Sequence, residues 1–233
     1  MTDRDATRHA LALTVALVMA TLSGCGSLLP TGTAPPLAYS LDEAQHARAA
    51  DPPATPSPGG PAIVVNPTRA APGYDSLHLV YVRVDHQLEH FARSEWVDTP
   101  ARMLAPLIVS ALEHSGMFRA VGPVTSGMAA DLRLDTEVLR LRQEFGSGPS
   151  RVRLTLRAAL SDNATRQTLT WREFDVTVAC TSEDAYGGVK AANLAVQETM
   201  EQLSGYAAQA SRDWMASHPG NARASATATS ARP

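Results

Sequence analysis

Hydrophobic and polar positions alternate most clearly between residues 131 and 180. In 151–160, Val152, Leu154, Leu156, Ala158 and Leu160 fall on one side, while Arg151, Arg153, Thr155 and Arg157 fall on the other. Such a strand builds a sheet with one apolar and one polar face. Flanking stretches 131–142 and 167–180 read as strands too, and turns at Gly146-Ser147-Gly148-Pro149 and Asp162-Asn163-Ala164 join all three as an antiparallel meander. Upstream, 63–65 and 77–84 are rich in β-branched residues, and 87–93 can return as a hairpin. The short alternating piece Leu37-Ala38-Tyr39-Ser40-Leu41 is a further candidate strand.

Helical spacing appears twice. Met103, Leu104, Leu107, Ile108, Ala111 and Leu112 share one face, after capping signals at Asp98 and Thr99 with Pro100 at the first helical position and Gly116 past the end. Pro106 should kink this helix or push its start later. From Val189 to Met215 a second stripe contains Ala192, Val196, Met200, Leu203, Ala207, Ala210 and Trp214. It suits a helix docked on a sheet, with a coiled-coil contact as the alternative. The pattern therefore predicts an α+β fold: a small, mainly antiparallel sheet with two helices packed on one face. The polar face would carry Arg133, Arg151, Arg153 and Arg157 to solvent or to a partner.

Residues 10–22 form one apolar run of 13 residues. A membrane-crossing helix needs about 20. The run suits the core of a signal peptide, although Asp3 and Asp5 weaken the positive charge of Arg4 and Arg8 before it. Directly after it, Leu22, Ser23, Gly24 and Cys25 resemble the bacterial lipobox, which implies cleavage before Cys25 and acylation of that cysteine. Acyl chains contribute about 0.8 kcal/mol per buried methylene, so several together anchor firmly. Gly26, in place of aspartate after the cysteine, implies sorting to the outer membrane, facing the periplasm. Cys180, the second of two cysteines, then has no intramolecular partner and reads as a small buried hydrophobe at a strand end.

Composition adds boundaries and exclusions. The 31 Pro and Gly residues gather in a tether after Cys25, an insertion over 48–61, the turns and the C-terminal tail. This divides the chain into a signal peptide (1–24), an acylated tether with Pro-rich insertion (25–61), a folded domain (62–216) and a disordered tail (217–233). A net charge of −3, with Lys190 the only lysine, disfavours nucleic acid as a partner.

His86-Gln87-Leu88-Glu89-His90 matches the H-x-x-E-H zinc motif. On a helix, positions four apart stand about 6 Å apart and both rings reach one ion at about 2.1 Å; on a strand the separation is about 13 Å. The segment follows a strand, so no metal site is expected. Neither a nucleophile elbow nor a phosphate-binding glycine loop is present, and no enzyme activity or cofactor is expected.

Leu79 through Arg83, Phe91 through Pro100, Leu107 through Leu112 and Gly116 through Val121 resemble the ABC-type transport auxiliary lipoproteins, the family of the paraquat-inducible C lipoprotein. Tyr39-Ser40-Leu41 matches its short first strand, though the long Pro-rich insertion after it puts that strand's pairing in question. Tyr81, Arg83 and Trp96 carry the resemblance and stand as family-motif or partner-interface candidates, with a buried aromatic, a strand tyrosine and a strand-end cation as the plain alternatives. The resemblance implies a non-enzymatic partner of an MCE-domain protein and, through it, of an inner-membrane ABC permease and ATPase that move lipid across the envelope. A homo-oligomer stays open. A lipoprotein assembly factor for an outer-membrane or lipopolysaccharide pathway is the alternative.

Overall fold

The computed structural model describes residues 35–42 and 54–218. Twelve named elements order the chain: β1 (Leu37–Tyr39), β2 (Ala62–Val65), β3 (Arg69–Ala70), β4 (His78–Val82), β5 (Glu89–Trp96), α1 (Pro100–His114), β6 (Ala120–Pro123), β7 (Leu132–Glu144), β8 (Arg151–Asp162), β9 (Thr168–Ala179) and α2 (Ala185–Ser217), with one 3-10 turn at Val124–Ser126 before β7. All of these belong to the compact unit that begins at Pro36. The signal peptide, the lipobox, residues 48–53 of the Pro-rich insertion and the tail beyond His218 lie outside the described residues.

The expected meander forms: β7, β8 and β9 pair antiparallel in sequence order. The expectation of a small, mainly antiparallel sheet is wrong. The sheet has nine strands and curls into a half-barrel. Its pairs β1–β5, β2–β6, β2–β7, β3–β7 and β4–β7 are all parallel, and β4–β5 is the only antiparallel pair outside the meander. The reason is connectivity. Chain 62–82 lies along the free edge of β7, with Ile63 beside Leu132, Arg69 beside Glu137 and Tyr81 beside Gln143. It reaches β7 only after α1 has carried the chain back, and such a crossover imposes parallel pairing. Short strands with these long connections leave no turn signal in sequence, and β3 and β6 were not foreseen. β1 is paired despite the insertion, with Leu37, Ala38 and Tyr39 opposite Ser94, Glu95 and Trp96.

Burial follows the alternation with one break. Along β8, every even residue from Val152 to Leu160 is buried. Along β7, Leu132, Leu134, Thr136 and Val138 are buried, and then Leu141 and Gln143. The register shift between Val138 and Arg140 inserts a residue and exchanges the faces. Without it the second half of β7 would turn its apolar positions outward.

α1 runs unbroken through Pro106. The proline sits on the exposed side, where the Arg102 carbonyl it leaves unbonded is open to water. Thr99 occupies the N-cap without a side-chain capping bond, while Asp98 accepts from the Thr99 N–H and pairs with Arg102 at 3.3 Å. Gly116 takes φ +64°, the left-handed turn that ends the helix. α2 starts four residues before the expected Val189, because Asp184 caps it by accepting from the Gly187 N–H at 2.8 Å. Gly187 and Gly188 permit close packing there, since a Cβ on Gly188 would lie 2.3 Å from Gln143 Oε1. The buried stripe of α2, including Val196, Met200, Leu203, Ala207 and Trp214, covers β8 and β9, and α1 packs on β2, β3, β6, β7 and α2.

Three of the four outward arginines are ion-paired. Arg157 pairs with Glu173 at 2.7 Å and Glu137 at 3.4 Å, Arg151 with Glu144 at 3.2 Å, and Arg153 with Asp175. Arg133 donates twice to Asn163 Oδ1. Exposed pairs of this kind contribute about 0.2–1 kcal/mol each. Cys180 follows β9, half-buried against the core, and burial pushes its thiol up despite a hydrogen bond to Ser150.

Asp162 joins the far ends of sheet and helix. Its carboxylate accepts from the N–H groups of Thr165 and Ala164 and the Thr165 hydroxyl, and Trp214 Nε1 donates to it at 2.9 Å. The Thr165 N–H, then the Trp214 bond, hold this carboxyl below its ordinary value against the opposing effect of burial. A depressed carboxyl stabilises the fold above the ordinary carboxylate range and stops doing so as pH falls through its folded value. Asp162→Ala is expected to cost at least about 2 kcal/mol in urea unfolding at neutral pH, since bonds to a charged group contribute about 1.5–3 kcal/mol. That deficit should begin to shrink below about pH 4, the ordinary value at which the unfolded carboxyl protonates, and be lost as pH falls through the lower folded value.

Candidate functional site

β4 and β5 meet in a turn over 83–88 that projects beyond the meander. Tyr81, near the end of β4, is buried, and its hydroxyl donates to Glu89 Oε2 at 3.0 Å across the strand pair. This bond, then burial, raises the phenol above its ordinary value. The ring lies 4.7 Å from Phe91 and 5.7 Å, edge-on, from Phe145, which follows β7. The Arg83 guanidinium lies over both rings, 4.9 Å from Tyr81 and 5.4 Å from Phe145. Val84 and Leu88 complete the corner and are exposed at 60% and 47%.

Beneath the corner, Arg142 bonds Glu144 at 2.8 Å, and Arg151 bonds the other oxygen of Glu144. Burial alone would raise the Glu144 carboxyl, but the two arginines outweigh it and hold it low. What the corner presents outward is the exposed pair Val84 and Leu88 and the stacked Arg83 guanidinium, together with the polar turn residues Asp85, His86 and Gln87. That surface suits contact with another protein, because arginine over aromatic rings beside apolar residues is the composition of interface centres.

Of the three family-motif residues, Tyr81 and Arg83 are brought together and Trp96 is not. Trp96 ends β5, 4% exposed, its N–H donating to the Leu77 carbonyl at 2.7 Å. It lies with Leu79, Phe91 and Leu141 of the sheet and with Gly188 and Ala192 of α2. Phe145 belongs to the corner but went unnoticed in sequence, and Glu89 entered only as the acid of the histidine motif. An aromatic residue next to the Gly146-Ser147-Gly148 turn was the available signal for Phe145. The histidine motif is split between turn and strand: His86 has φ +68°, and His90 in β5 stacks on His78 at 4.3 Å. Among the described residues no three metal-binding side chains are grouped to hold an ion.

A second concavity of about 560 Å³ lies between α1 and the ends of β2 and β6. Val65, Pro67, Pro106, Val109, Pro123 and Val124 give it a mostly apolar wall, with Glu113 its one acid. Pro106, tolerated by the exposed side of α1, forms part of its rim. No helix among the described residues is long and apolar enough to cross a membrane.

A family model described as ABC-type transport auxiliary lipoprotein component matches residues 39–204. Among solved structures, a Xanthomonas campestris protein of the DUF330 family is 22% identical, with a TM-score of 0.61, covering 69% of this chain and 93% of that one. Another crystal structure, of an uncharacterized protein, is 13% identical with a TM-score of 0.56, covering 73% and 97%. No curated protein matches the sequence. The two structures share the fold. The chain belongs to the ABC-type transport auxiliary lipoprotein family, as the resemblance at Tyr39, Tyr81, Arg83 and Trp96 implied.

The two family-motif residues Trp96 and Arg83 should separate on substitution. Trp96→Ala is expected to destabilise the domain by about 3–5 kcal/mol, as for other buried large-to-small changes. Arg83→Ala should leave urea unfolding within about 0.5 kcal/mol of the wild type, as exposed positions do.

Proposed function

We propose that this member of the ABC-type transport auxiliary lipoprotein family is the non-enzymatic envelope partner of an MCE-type lipid transporter, anchored through acylated Cys25 at the periplasmic face of the outer membrane. The match over residues 39–204 carries the reading. The anchor is the candidate lipobox Leu22-Ser23-Gly24-Cys25, and Gly26 supports outer-membrane sorting. In this scheme the inner-membrane permease and ATPase use the nucleotide, and the MCE-domain protein links them to this chain. The lipoprotein's task is to hold one end of that assembly at the opposite membrane.

The β4–β5 corner is the proposed contact with the MCE-domain protein. The contact rests on desolvating Val84, Leu88 and the Arg83–aromatic stack. The sheet and helices position that surface. An auxiliary role requires nothing more.

Affinity purification of the full chain from detergent-solubilised envelopes should recover an MCE-domain protein. Arg83→Glu should reduce its yield at least tenfold, the effect of about 1.4 kcal/mol, while the fold stays intact. Recovery of a β-barrel assembly in its place would move the chain to the alternative class. Cys25→Ser should shift the protein from membranes to the soluble periplasmic fraction; continued membrane fractionation would refute the anchor.

A further inference from the structure

The first half of α2 is buried on most sides and leaves one exposed row. Tyr186, Lys190 and Leu194 recur every fourth residue, Tyr186 at 58% and Leu194 at 48% exposure. The row continues onto β1. The Tyr39 ring lies 6.3 Å from Tyr186, and Asn193, next to Leu194, donates to the Ser40 carbonyl at 3.1 Å. Leu37, on the same side of β1 as Tyr39, is 63% exposed. One flank of the domain therefore presents two tyrosines and two leucines around a single lysine.

Nothing within the described fold accounts for this exposure. Its charge is nearly balanced: Lys190 lies 5.7 Å from the Tyr186 ring, Asp184 is engaged in capping α2, and Glu198 follows one turn beyond Leu194. Tyrosine, leucine and an amphipathic lysine in one patch are the residue types that settle at the boundary between headgroups and acyl chains.

The chain's own length names the occupant. Cys25 stands twelve residues before Leu37. Fully extended, that span reaches at most about 40 Å. If Cys25 is acylated, the strand carrying Leu37 and Tyr39 is the part of the domain tied most closely to the bilayer. A short tether also raises the effective concentration of that flank at the lipid surface, so weak insertion suffices. We propose that the β1–α2 flank, formed by Leu37, Tyr39, Tyr186, Lys190 and Leu194, rests on the membrane that holds the lipid anchor. The inference builds on Cys25 acylation and on no feature of the β4–β5 corner. Because recognition rests on apolar burial and not on net charge, the contact should be insensitive to salt.

The test uses the full acylated chain reconstituted in vesicles of phosphatidylethanolamine with a minor share of phosphatidylglycerol, brominated near the top of the acyl chains. Tyr186→Trp adds one reporter on the flank, and Thr177→Trp adds one on the opposite, ion-paired face of β9. The native tryptophans set the baseline. Bromolipid should quench most of the emission added at 186 and little of that added at 177, with no change on raising salt. Tyr186→Asp combined with Leu194→Asp should leave the protein floating with the vesicles but restore the emission of a Leu37→Trp reporter. Equal quenching at 186 and 177, or none at either while the protein still floats with vesicles, would overturn the flank's role and leave the anchor standing. Loss of flotation for the unmodified protein would overturn both. A reporter at 186 that bromolipid ignores and an added MCE-domain protein shields would make the flank a protein interface and end the lipid proposal.

Discussion

Hydrogen bonding along both edges of β7 is the constraint on which the rest of this structure depends. One edge takes β8 over nearly the whole strand, and the other takes β2, β3 and β4 one after another. β5, β6, β9 and finally β1 join the sheet through those neighbours. A strand paired on both edges and buried on one face must satisfy its backbone and its alternation together. The bulge between Val138 and Arg140 reconciles them by returning Leu141 and Gln143 to the core side. It also shows why Gly188 is a glycine: the Gln143 side chain turned inward there leaves no room for a Cβ at the start of α2.

Fixing the helices against this sheet decides what the protein can offer to others. The arginines of β8, which as a row suggest a cationic surface, find carboxylates on β7 and β9 and become a neutral ladder. Among the outward features with exposed apolar residues are the β4–β5 corner, the proline-rimmed groove beside α1, and the flank shared by β1 and α2. The last two are built by segments far apart in sequence. The chain belongs to a family of ABC-type transport auxiliary lipoproteins.

The sequence alone determined the elements whose signals are local. β8 could be read from five alternating apolar residues, α1 from Pro100 and its spaced leucines, and α2 from its stripe, because each pattern lies within one element. Lys190, Tyr186 and Leu194 were equally legible as residues, but their exposure was not. Only the tertiary structure decided that 62–82 would pair parallel to β7, that β1 would cross the Pro-rich insertion to reach β5, and that Arg83 would stack on Phe145. Parallel pairing depends on where a long crossover returns the chain, and ion pairing on which strands become neighbours. Those quantities are settled by burial summed over the whole sheet, and no window of the sequence contains them.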